Sequence, residues 1–135
     1  MKAAAGGKSL ALATGIMDEG TEGVFVLDFL TGDLKCYVLN NRGRGVQGYF
    51  ATNVLKDISV EKGKKPAYCL VTGTIRYRGN PNTPGCLVYV ADANSGNFAA
   101  YSFGWARGAS SAGISQSQPM QLVFAGKARN LEIRE

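Results

Sequence analysis

The chemistry open to this 135-residue chain is set first by an absence, because it contains no histidine. That removes Ser-His-Asp and Cys-His nucleophiles, imidazole metal ligands and the side chain that usually titrates near neutrality. Carboxylates remain: Asp18, Glu19, Glu22, Asp28, Asp33, Asp57, Glu61 and Asp92 are the candidates for the paired acid and base of a glycosidase-type site. Most fall in predicted turns, where solvation or turn capping is the stronger reading. Asp18, Glu19 and Glu22 offer oxygen ligands without the spacing of a calcium loop. Cys36, Cys69 and Cys86 contain no CxxC and cannot all pair within one chain. Cys69 and Cys86 border apolar strands and read as buried, inert thiols. No glycine precedes the Lys-Ser/Thr and helix of a phosphate-binding loop. The expectation is no enzyme: no catalytic residues, no metal and no cofactor, in a reducing, cytoplasmic setting.

Cations offer a different chemistry. Fifteen Lys and Arg against ten Asp and Glu give a net charge of +5, a mild excess that favours anionic partners. Arg42 and Arg44 sit in a glycine-rich loop, Lys62, Lys64 and Lys65 cluster together, and Arg76-Tyr77-Arg78 interleaves an aromatic with two cations. A basic groove with stacking aromatics is what sequence-tolerant binding of single-stranded nucleic acid requires. The plainer role for such charges is to keep loops and sheet edges soluble. The apolar stretch Leu10 to Met17 is broken by Thr14 and Gly15 and is too short to span a bilayer as a helix, so no membrane insertion is expected.

The elements that must carry these groups emerge from an internal repeat. Phe25-Val-Leu-Asp-Phe-Leu-Thr-Gly-Asp-Leu-Lys-Cys-Tyr37 lies without a gap over Tyr89-Val-Ala-Asp-Ala-Asn-Ser-Gly-Asn-Phe-Ala-Ala-Tyr101, and Leu12-Ala-Thr-Gly-Ile16 lies over Leu70-Val-Thr-Gly-Thr74. Tyr49 to Val54 roughly matches the stretch beginning at Val123, with an ambiguous register. Each copy reads as four strands, near 9–17, 23–30, 34–40 and 46–54, then 67–77, 86–93, 97–104 and 120–127. The chain is one all-β domain: repeat one about 9–58, a charged linker 59–66, repeat two about 67–135. In the central hairpins, Asp28 and Asp92 are placed to accept from turn N–H groups, and Gly32 and Gly96 to take a positive φ. Asn53 is placed to cap one helical turn. The segments 79–85 and 106–119, rich in Gly, Ser, Asn, Pro and Gln, read as surface loops.

A strand with one wet face alternates apolar and polar residues, yet Val24 to Leu27 and Leu87 to Ala91 are apolar throughout. Such sheets need cover on both faces, and stacking two of them covers one face of each. Roughly several hundred Å² left over, at about 25 cal/mol per Å², makes exposure costly by the order of 10 kcal/mol. Propeller blades are four-stranded sheets buried on both faces, and two blades cannot close a ring alone. The expectation is a cyclic homo-oligomer of three or four two-blade chains, or else a barrel or sandwich dimer, with Val26, Val90, Tyr37, Tyr101 and Trp105 at the interface.

The hairpin from Leu87 to Tyr101 resembles those of quinoprotein-like β-propellers, in which a tyrosine-rich strand precedes an Asp-Ala-x-Thr-Gly turn and a strand ending in tryptophan. Here Tyr37 and Tyr101 stand at the tryptophan position and no cofactor-binding acid cluster accompanies them, so quinone chemistry is not implied. Segments 23–34, 49–55, 70–73, 92–101 and 127–131 together resemble a family of small uncharacterised β-repeat proteins from planctomycete bacteria. That resemblance spans most of the chain from Thr14 onward and implies a shared fold. The sequence thus points to a non-enzymatic, self-assembling scaffold or binding module. A single-stranded nucleic-acid binder is the second reading, and a small-molecule or glycan-binding propeller the third.

Overall fold

A computed structural model of the chain describes residues 4–6, 9–18, 21–40, 45–59, 65–74, 85–102 and 116–128. Among these residues are ten strands: β1 (Ala4–Gly6), β2 (Leu10–Asp18), β3 (Thr21–Asp28), β4 (Asp33–Leu39), β5 (Val46–Asn53), β6 (Tyr68–Thr74), β7 (Cys86–Asp92), β8 (Asn97–Ser102), β9 (Gln116–Pro119) and β10 (Gln121–Lys127). One 3-10 turn, Val54–Lys56, follows β5, with the Asn53 side chain accepting from the Leu55 N–H as a cap. The first sheet has the order β1-β2-β3-β4-β5-β9, antiparallel except for the parallel pairing of β9 on β5. The second is antiparallel, in the order β10-β8-β7-β6. The protein is all-β.

The repeat is visible as two units of four strands, β2 to β5 and β6 to β8 with β10. Their hairpins share one geometry: Gly32 and Gly96 have φ of 79° and 80°, and the N–H of each donates at 2.8 Å to the carbonyl of Asp28 or Asp92. Past the hairpin, the Val54 N–H donates to the Gly32 carbonyl, and the Ala128 N–H donates to that of Gly96. This pair of bonds settles the register of the last strand, with Tyr49–Val54 lying over 123–128 without a gap.

The units do not meet the core in the same way. In β3 and β4 burial alternates strictly, with Phe25, Leu27, Leu34, Cys36 and Val38 inward. In the second unit the equivalents of these inward residues turn outward. Phe25 is 0% exposed and its counterpart Tyr89 37%, while Phe50 is 0% exposed and Phe124 55%. Conversely, Leu12 is 44% exposed and its counterpart Leu70 only 4%. Calling the Phe25 side of a unit its front and the Leu12 side its back, the front of unit one packs on the back of unit two. One hydrophobic core results, and the Phe29 and Tyr68 rings meet edge to face across it at 5.3 Å.

This arrangement corrects one expectation. Within the chain the two sheets cover one face of each other, apart from the edge strand β10, whose residues all stay exposed or half-buried. Val90 and Tyr101, expected at an interface between chains, are fully buried inside this one, because the second unit turns its back, with Leu70, Val88 and Ala99, inward. The stretch 106–119, expected as loop, ends in β9, and β1 was not anticipated. Both are too short to show a period, and both take up the hydrogen-bonding edges of the first sheet. From β9 the chain crosses at Pro119 to the second sheet through buried Met120, whose N–H donates to the Ala51 carbonyl.

If the units present opposite faces inward, repeat-equivalent truncations have unequal costs. Phe50→Ala is expected to destabilise by about 3–5 kcal/mol, and Phe124→Ala by about 1 kcal/mol or less, in equilibrium denaturation.

Candidate functional site

The carboxylates proposed for acid-base chemistry are engaged in structure. Asp28 accepts from the Leu30 N–H at 2.9 Å, and Asp33 accepts from the Asn53 side-chain amide at 3.0 Å. The same amide donates to the Thr31 carbonyl, tying the first hairpin to the end of β5. Asp92 is fully buried and accepts from the N–H groups of Ala67 and Asn94 and from the Ser95 hydroxyl, at 3.1, 3.2 and 3.0 Å. It joins the second hairpin to the chain entering β6, where the Asn94 amide also donates to the Lys65 carbonyl. Asp57 accepts from the Tyr101 hydroxyl at 2.8 Å. Glu22 is exposed on β3. No group of three or more acidic or cysteine side chains among the described residues is placed to hold a metal. The side chains of Asp18, Glu19 and Glu61 lie outside the described residues.

The cysteines divide differently from expectation. Cys36 and Cys86 are buried and Cys69 is exposed, because Cys69 lies on the front of the second unit. Burial, and secondarily the Cys86 thiol, push the Cys36 thiol well above its ordinary range and keep it protonated.

The two sheets come closest where β2 runs beside β6. Thr72 donates its hydroxyl to the Thr14 carbonyl at 2.7 Å. These threonines occupy equivalent positions of the repeat, so the units stack with their first strands nearly superimposed. Gly15 makes the approach feasible, since a Cβ there would lie 2.7 Å from the Cys86 sulfur.

What remains available to a partner is the back of unit one and the front of unit two. The first carries Leu10, Leu12 and Ile16, all exposed, with half-buried Val24 and Val26 beside them. Tyr37 and Tyr49 are cross-strand neighbours there, with rings 5.3 Å apart. A shallow cleft of about 180 Å³ on this face is lined by Leu10, Val26, Asp28, Asp33, Lys35 and Tyr37. The second face carries Val71, Tyr89 and Phe124 exposed, with Phe98 5.6 Å from Phe124 and the Tyr89 ring lying over Gly73. Ala100 is closed in by its cross-strand neighbours Tyr89 and Phe124.

Of the interface residues read from the sequence, Val26 and Tyr37 stand on an outer face, and Trp105 lies outside the described residues. The basic candidates Arg42, Arg44, Lys62, Lys64, Arg76, Tyr77 and Arg78 also lie outside them, and Lys65 is exposed. The sequence reading missed the outward aromatics Tyr89, Phe98 and Phe124. Their signal was present in the repeat, since each matches a large inward residue of the first unit, but which face turns inward is not encoded in the pattern.

No helix among the described residues is long and apolar enough to cross a membrane. Comparison with protein-family models, curated proteins and solved structures finds no match for the chain.

Burial, the bond to Asp57 and that carboxylate's charge, with a smaller contribution from Tyr68, push the Tyr101 hydroxyl up. The folded chain therefore holds this proton more tightly than the unfolded one, whose tyrosines titrate near about pH 10. The stability from this group is complete below about pH 10 and declines as the pH rises beyond it. Urea midpoints measured through that alkaline range should fall for the native chain and fall less steeply for Tyr101→Phe.

Proposed function

We propose that the chain is a non-enzymatic β-repeat protein that assembles with copies of itself, and that the assembled form serves as a scaffold or binding module. The observation that supports this most directly is the pair of apolar outer faces, which together expose Leu10, Leu12, Ile16, Val71, Tyr89 and Phe124. An exposed sheet of this character gains from covering, and the chain has no further layer among its described residues to provide one. Two four-stranded units stacked with their first strands together resemble two neighbouring blades of a propeller, and a closed ring needs several more. The assembly we infer is a cyclic homo-oligomer of three or four chains. The engaged carboxylates favour this reading over an enzyme, because Asp28, Asp33, Asp57 and Asp92 already have structural partners.

Native mass spectrometry of the purified chain should give a discrete multiple of 14.3 kDa. Val26→Lys, which sets a charge on the outer face of the first sheet, should shift the population to single chains. A native chain that remains monomeric at micromolar concentration would overturn the proposal.

A further inference from the structure

We infer, resting on the self-assembly just proposed, that the copies join head to tail. The front of unit two in one copy packs on the back of unit one in the next, repeating the contact already made between the units of a single chain.

The argument is one of repeated surfaces. Within the chain, a front bearing Phe25, Leu27, Leu34, Cys36 and Phe50 meets a back bearing Leu70, Val88, Val90, Ala99 and Tyr101. The outward front of unit two carries the equivalents of the first set: Tyr89 and Phe124 exposed, Ala91 and Phe98 half-buried, and Ala100 closed in beneath its neighbours. The outward back of unit one carries the equivalents of the second set: Leu12 exposed, and Val24, Val26, Lys35 and Tyr37 half-buried. Each free face is thus a version of a face that this fold demonstrably packs, and the two free faces are of opposite kind. Aromatic and aliphatic character is kept at four of the five positions on the back. The fifth is Lys35 in place of Ala99, and its charge shares one cleft with the carboxylates of Asp28 and Asp33.

The geometry of the existing contact carries the direction of the assembly. Front against back means that both sheets point the same way along the stacking direction, so no two-fold axis relates them. The Thr72 to Thr14 bond joins equivalent positions, so the offset within the sheet plane is small. Applying such an operation again adds a further copy in the same sense and leads to a ring when the rotation closes. A pairing of identical faces, first sheet on first sheet, would instead end at a dimer.

The test blocks each face separately. Leu12→Lys disables the back of unit one and Val71→Lys the front of unit two, both at exposed strand positions. Leu12→Thr and Val71→Thr serve if either lysine variant loses its far-ultraviolet β signature. Each variant alone should be monomeric by native mass spectrometry, because every head-to-tail contact needs one face of each kind. An equimolar mixture should form a one-to-one heterodimer and stop there, since one intact face of each kind remains. If the native chain assembles but only one of the two variants dissociates it, or the mixture stays monomeric, the head-to-tail arrangement is wrong while self-assembly stands. If the native chain is itself monomeric, self-assembly falls and the arrangement with it.

Discussion

A β-strand sends successive side chains to opposite faces, so a sheet stacked on one neighbour buries half of its residues and presents the other half elsewhere. Everything distinctive in this protein follows from how that constraint meets a duplicated sequence. Two copies of one unit could bury the same face by meeting symmetrically. Here they meet front to back, with Phe25 inward and its counterpart Tyr89 outward. In that arrangement β2 passes close along β6: Thr72 reaches the Thr14 carbonyl, and the missing Cβ of Gly15 leaves room for the Cys86 sulfur. A Cβ at Gly15 would meet the Cys86 sulfur at 2.7 Å and the Thr72 methyl at 3.3 Å, so these side chains would have to shift where the equivalent strands lie closest.

The described polar groups tie this stack together. Asp28 and Asp92 hold the tips of equivalent hairpins, and the glycines beside them supply the positive φ that the turns require. Around this shared turn the units have diverged in what they tie down. Unit one uses Asn53 to bind its hairpin to the 3-10 turn, while unit two uses buried Asp92 to bind the entry to β6. Tyr101, kept neutral by burial and bonded to Asp57, links the second sheet to the residues that follow the first. Asp92, fully buried with three hydrogen bonds to its carboxylate, is the most tightly held of these acids.

Much of the fold was legible because it depends on local and periodic information. The Asp-x-x-Thr/Ser-Gly turns announce hairpins, the duplicated segments announce two like units, and the expected strand positions fall within a few residues of those observed. Asn53 signalled its cap. The short strands β1 and β9 were illegible, since three or four residues carry no period and their pairing depends on an open sheet edge elsewhere. The buried places of Val90 and Tyr101 were illegible for a different reason. Both faces of each unit are apolar, so hydrophobicity alone does not distinguish the side that meets the other sheet, and Cys69 was misplaced for the same reason.

The amino-acid sequence by itself determined the all-β class, the two hairpin-centred units and the lack of histidine chemistry, because turn stereochemistry, strand period and residue type act over short stretches of chain. Only the tertiary structure decided which face of each unit is inside, and hence which aromatics, Tyr37 and Tyr49 on one side, Tyr89 and Phe124 on the other, are left for a partner. That decision rests on backbone approach between strands some sixty residues apart, as the Thr14 and Thr72 bond records, and a contact of that range leaves no mark in local pattern.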